Sequence, residues 1–164
     1  MKEKFNDELL QERDYKLWVL LEQVRTGIVV ARDKELADFG ISTIMGGVLA
    51  IVNAIGNEAT PAQISRWIMR RAHSVSGLVE RMAQKGLIRK SKDLHKKNLV
   101  RVTITDKGQK AFKQSLKRKS IHQIMSALSE KEKDDLFVLL DKLRSKSVKV
   151  AKISFKPPFN VFEK

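Results

Sequence analysis

Two short runs carry the side chains best able to hold a ligand. The first is His73-Ser74-Val75-Ser76-Gly77, continued by Glu80, Arg81 and Gln84. At helical spacing Val75, Leu78, Val79 and Met82 share one face, and the polar groups share the other. Small polar side chains beside a glycine let a backbone approach its partner closely, and arginine adds a flat, forked donor. The second run, Lys92 to Asn98, gathers Lys92, His95, Lys96, Lys97 and Asn98, a cationic loop suited to phosphate oxygens. Neither run is a catalytic set. There is no cysteine, and His73, His95 and His122 do not stand at metal-ligand spacing. A Gly-rich phosphate loop and a His-carboxylate pair are also missing. The expectation is no enzyme, no metal and no cofactor.

The charge balance points to what such groups bind. Lys and Arg number 33 against 19 Asp and Glu, a formal charge of +14. Between Arg89 and Lys119 twelve Lys and Arg face only Asp93 and Asp106, so +10 of that charge sits in one stretch. Focused positive charge favours a polyanion, and duplex DNA is the leading candidate. The 164 residues suit one domain with a real core. No apolar run is long enough to span a bilayer, and Met1–Gln11 does not read as a secretory signal. A cytoplasmic location without a membrane partner is expected.

Helices must position both runs. Asp14 to Asp38 reads as one long helix, with Leu17, Leu21, Val24, Ile28 and Ala31 at three- and four-residue steps and Gly40 as its stop. Ser42 can cap a second, apolar helix through Ile55. Thr60-Pro61-Ala62-Gln63 has the form of a capping box with proline at the first helical position. That helix is expected to reach about Arg70, and another to run from His73 to a stop at Gly86. Leu87–Ser91 and the alternating run from Leu99 through Ile104 predict a hairpin around the basic loop. One helix is expected over Asp106 to about Leu128. Ser129 to Glu132 is a second capping box, opening a last helix with Leu136, Leu139, Leu140 and Leu143. The fold class is therefore mostly α with a small β-hairpin. Residues after about Val150 are expected to be extended.

Helix, tight turn, helix, strand, basic loop, strand over Thr60–Thr105 is the order of a winged helix-turn-helix. One helix of such a unit fits a major groove about 12 Å wide, and the hairpin reaches the minor groove beside it. The runs Thr60-Pro-Ala-Gln-Ile-Ser-Arg-Trp-Ile68, His73 to Met82, Lys85-Gly-Leu-Ile-Arg-Lys90 and Val100 to Gly108 resemble the MarR family of winged-helix regulators, and the likeness extends from about Asp14 to Ser145. It implies one regulator domain over 14–145: N-terminal helices at 14–55, the winged helix-turn-helix at 60–105 and dimerisation helices at 106–145. A tail at 146–164 follows.

The resemblance further implies a homodimeric repressor of transcription on a near-palindromic operator in double-stranded DNA. It places Ser74, Val75, Ser76, Gly77 and Arg81 on the recognition helix. Thr60, Pro61 and Gln63 would open the helix that meets backbone phosphate. His73 would be a helix-start or phosphate contact. The wing departs from the family pattern, with Lys96 and Lys97 where an acidic residue and an arginine are common. Lysine lacks arginine's fork, so the wing is expected to add affinity more than base preference. The resemblance also implies a small aromatic effector in a crevice between the first two helices and the reader, with Trp18, Met45, Val48 and Trp67 as its candidate lining. The alternative is a ligand sensor or protein-interaction adaptor on the same fold without specific DNA binding.

Overall fold

A computed structural model describes residues 12–56, 59–93 and 99–153. Seven helices and one hairpin follow in the order α1 (Arg13–Ala37), α2 (Thr43–Ile55), α3 (Pro61–Trp67), α4 (Ala72–Gln84), β1 (Ile88–Lys92), β2 (Val100–Ile104), α5 (Asp106–Ser115), α6 (Lys119–Met125) and α7 (Glu130–Val150) among the described residues.

The centre is α2, the most apolar segment, which packs against α1, α3, α5 and β2. Val48, Leu49 and Val52 meet Leu36 of α1, Ile64 of α3, Val75 and Met82 of α4, Leu87, and Val102 of β2 in one core. Each element presents its apolar face inward at its own period, 3.6 residues for the helices and two for the strand. The hairpin is antiparallel, with Ile88 opposite Ile104 and Lys92 opposite Val100. One tie to the reader is the Val102 amide, which donates to the Ala59 carbonyl at 2.8 Å.

Side chains cap most helix starts. Ser42, Thr60, Thr105 and Ser129 each accept from the amide three residues on, and two of them, Thr60 and Ser129, form full capping boxes with Gln63 and Glu132. Gly86 ends the α4 corner at φ +70°, a region other residues enter only at a cost. Gly108 has a different role. A Cβ there would lie 1.9 Å from the Leu87 carbonyl oxygen, so only glycine lets α5 cross the root of the hairpin.

Three boundaries differ from the sequence reading. The helix opened by Pro61 stops at Trp67, because Met69 turns left-handed at φ +52°. The single helix expected over 106–128 is two, α5 and α6, broken where Arg118 adopts φ +49°. The last helix continues to Val150, so the first residues of the expected tail are helical. Residues 154–164 lie outside the described residues.

Candidate nucleic-acid interface

The reader begins at α3. Thr60 Oγ1 accepts from the Gln63 amide at 3.2 Å, while Gln63 Oε1 accepts from the Thr60 amide and hydroxyl, both at 2.9 Å. Thr60 is only 8% exposed. Its hydroxyl is committed to this box, so it holds the helix start in place and leaves no donor for phosphate. Pro61 and Gln63 stand half-buried beside it.

The turn between the helices is tightly held. Ser65 Oγ donates to the Arg70 carbonyl at 2.6 Å, and the Arg70 amide returns to the Ser65 carbonyl at 3.1 Å. Left-handed Met69 between them leaves Arg66, Arg70 and Arg71 exposed just ahead of α4. Sequence reasoning passed over these three arginines. The signal was there: consecutive arginines in the turn of a helix-turn-helix stand where a phosphate backbone would pass.

On α4 the two faces separate cleanly. Val75, Leu78, Val79 and Met82 are buried, while His73, Ser74, Ser76, Glu80, Arg81 and Gln84 are exposed and Gly77 is half-buried. Val75 is a correction. Assigned to the contact set with its neighbours, it is wholly buried at 0% exposure and packs in the core. Its spacing to Leu78, Val79 and Met82 puts it on the inner stripe. In the free chain Ser76 Oγ donates to the Ala72 carbonyl at 3.1 Å. Glu80 pairs with Lys90 of β1, which offsets its repulsion for an anionic partner and ties helix to wing. The N-terminus of α4 has no side-chain cap.

Lys92 closes β1 and is exposed. Just past it the Asp93 amide donates to the Leu99 carbonyl at 2.8 Å, and Arg101 Nε donates to Asp93 Oδ2 at 2.7 Å. This partly buried pair clamps the base of the wing. His95, Lys96, Lys97 and Asn98 lie outside the described residues.

Trp18, Met45, Val48 and Trp67 do not come together. Trp18 is exposed on α1 with its ring 5.5 Å from that of Tyr15, over a hollow of α1's own residues. Met45 faces a second hollow with Asp33, Gly40 and Lys85. Val48 is fully buried and Trp67 is packed half-buried on the core. A separate cavity of about 180 Å³ lies between α1, α2 and α5, lined by Arg32, Leu36, Thr43, Phe112, Ser115 and Arg118 among others. The reader contributes nothing to it; Lys85, at the end of α4, lines the hollow beside Met45. Among the described residues no group of three His, Cys, Asp or Glu side chains could hold a metal ion, and no helix is long and apolar enough to cross a membrane.

A helix-turn-helix with a clamped hairpin, set between long outer helices, defines a winged-helix regulator of transcription. No family model and no curated protein sequence matches the chain. Solved structures do. An organohalide-sensing transcriptional regulator, RdhR, in its 2,4-dichlorophenol-bound form is 34% identical over 89% of each chain, with a TM-score of 0.83. MepR of S. aureus, solved with DNA, is 22% identical over 78% of this chain and 96% of its own, at a TM-score of 0.71. A MarR variant from E. coli, solved with operator DNA, is 18% identical over 78% of this chain and 93% of its own, at 0.73. The chain belongs to the MarR family of winged-helix transcriptional regulators.

Proposed function

We propose that the protein is a homodimeric repressor that binds a near-palindromic DNA operator through α4 in the major groove and the wing beside it. The carrying observation is the divided α4 helix: four apolar residues seal its inner face, and small polar groups with Arg81 fill the outer one. Exposed arginines of the preceding turn and lysines of the hairpin flank that face with positive charge. Among the described residues nothing covers it, so it is free to enter a groove.

The dimer reading rests on unpartnered apolar surface. Leu17, Trp18, Leu21 and Val24 on α1 and Leu139, Leu140 and Leu143 on α7 are all at least 40% exposed. None of the residues of α7 is buried within its own chain. Exposed apolar helix faces of this kind mark an interface. Selecting bound fragments from random duplex DNA tests the function. The expected result is an inverted repeat with half-sites one turn apart, about 34 Å between centres. Failure to enrich any sequence would favour an adaptor that does not read DNA.

Release by a small aromatic effector is part of the same reading. RdhR was solved with 2,4-dichlorophenol bound. In this chain the cavity beside Phe112 has about 180 Å³ of space. A dry cavity of about 150 Å³ accommodates benzene, so one substituted ring fits. Arg32 and Arg118 on its wall would favour an ionised ring substituent. Titrating 2,4-dichlorophenol into the operator complex should release DNA. A ligand that binds free and DNA-bound protein equally would rule this out, since only differential affinity shifts the equilibrium.

A further inference from the structure

Glu35 of α1 closes a link to the other end of the chain. Its carboxylate accepts from the amides of Lys119 and Ser120, each at 3.0 Å, and from Ser120 Oγ at 2.5 Å. Arg32, one turn earlier, has Nη1 2.8 Å from Glu35 Oε2 and donates through Nη2 to the Ser115 carbonyl. The Arg32 residue is only 6% exposed. One pair of charges on α1 thus grips the end of α5 and the first turn of α6.

This grip replaces something α6 lacks. Its N-cap residue, Arg118, is left-handed and provides no side-chain cap. Glu35 supplies the missing acceptor from another helix. Burial raises the Glu35 pKa, but the Ser120 hydroxyl, the Arg32 guanidinium and the amides of Ser120 and Lys119 outweigh it and bring it to about 2. Charge-assisted bonds are about twice as strong as neutral ones, and partners this secluded have few alternatives.

The consequence is geometric. α6 leads through a short turn into α7, none of whose residues is fully buried within its own chain, so α7 takes much of its direction from α6 and from any partner. α5, held at its end by Arg32, begins at the root of the wing. The clasp therefore sets the angle between the outer helices and the reader. We propose that Glu35 is a positioning residue that fixes the separation of the two readers in the dimer, and with it the half-site spacing the protein accepts. This rests on the homodimeric DNA-binding reading above. The partners of Glu35 are Arg32, Lys119 and Ser120, all outside the reader, so it acts through α6.

The test uses the full chain with Glu35→Gln, and Ser120→Ala as a milder second variant. Sedimentation reports the oligomer. Affinity is measured on duplexes carrying the selected half-sites at native spacing, with one or two base pairs added or removed, and on a single half-site. Each added base pair rotates one half-site by roughly a tenth of a turn, so the wild type should show a sharp optimum. Glu35→Gln should remain dimeric and bind the single half-site as before. It should lose about tenfold at native spacing and change little at the altered spacings, so the profile flattens. Ser120→Ala should move the same way by less. A profile as sharp as wild type, or an equal loss on every duplex including the half-site, overturns the inference. So does a wild type indifferent to spacing. A wild type that binds no duplex overturns the DNA-binding reading itself, and the inference with it.

Discussion

Gly77 lies in mid-helix on α4, where glycine costs about 1 kcal/mol relative to alanine. The fold gives no steric reason for it. A Cβ at this position would meet only the flexible end of Arg81, Nη1 at 3.7 Å, an ordinary contact. Gly77→Ala should therefore stabilise the free protein by about 1 kcal/mol, raising Tm by about 2–4 °C for a chain of this size. Its effect on binding should have the opposite sign. A methyl between α4 and the base edges forces the helix outward, and breaking even one good bidentate pairing with a base costs about 1–3 kcal/mol. An operator affinity lower by about tenfold or more is the expected outcome. Thermal melting and a fluorescence-anisotropy titration on the selected operator measure the two halves. A variant that is more stable and binds equally well would refute the claim that this face lies against the bases. A variant that is less stable would refute the packing argument.

Three other outcomes follow from the geometry. Gly108→Ala drives a methyl to within 1.9 Å of the Leu87 carbonyl oxygen and displaces Thr105 from its bonds to Gly86 and Leu87, so Tm should fall by about 6 °C or more. An unchanged Tm would show that α5 can ride away from the hairpin freely. Glu35 has a folded pKa of about 2 against an ordinary 4.5, so its stabilisation is complete above pH 4.5 and is lost as pH falls toward 2. The urea-midpoint gap between wild type and Glu35→Gln should then be wide at pH 7 and narrow at pH 3, and a constant gap contradicts the clasp. Replacing exposed Arg70 and Arg71 together by alanine should leave Tm nearly unchanged and lower the salt slope of operator binding by about 1.8, at about 0.9 for each phosphate no longer neutralised. An unaltered slope would place the turn away from the backbone.

Local chemistry made the reader legible. The Thr60 and Ser129 capping boxes, the stop at Gly86 and the stripe through Val75, Leu78, Val79 and Met82 each follow from interactions within a few residues, and the structure keeps them. What could not be read depends on distant partners. The break at Arg118 has no glycine or proline to announce it. Its acceptor is Glu35, more than eighty residues earlier and, in sequence, one more acid on a helix face. Of the four side chains expected to line an effector crevice, only Met45 faces the hollow between α1, α2 and Lys85 at the end of α4. A separate cavity lies under α5, where Phe112 and Ser115 carry no local sign of lining a space. Val75 shows the opposite fault: its spacing marks it as core, while its exposed neighbours on either side suggest a surface role it does not have.

Methylation interference on the selected operator tests the central claim most directly. Methyl groups on guanine N7 project only into the major groove. Two clusters of interfering positions, about ten base pairs apart and one per half-site, are predicted, with interference at the central position of each abolished when Arg81 is replaced by alanine. Binding that tolerates N7 methylation throughout both half-sites would contradict the account.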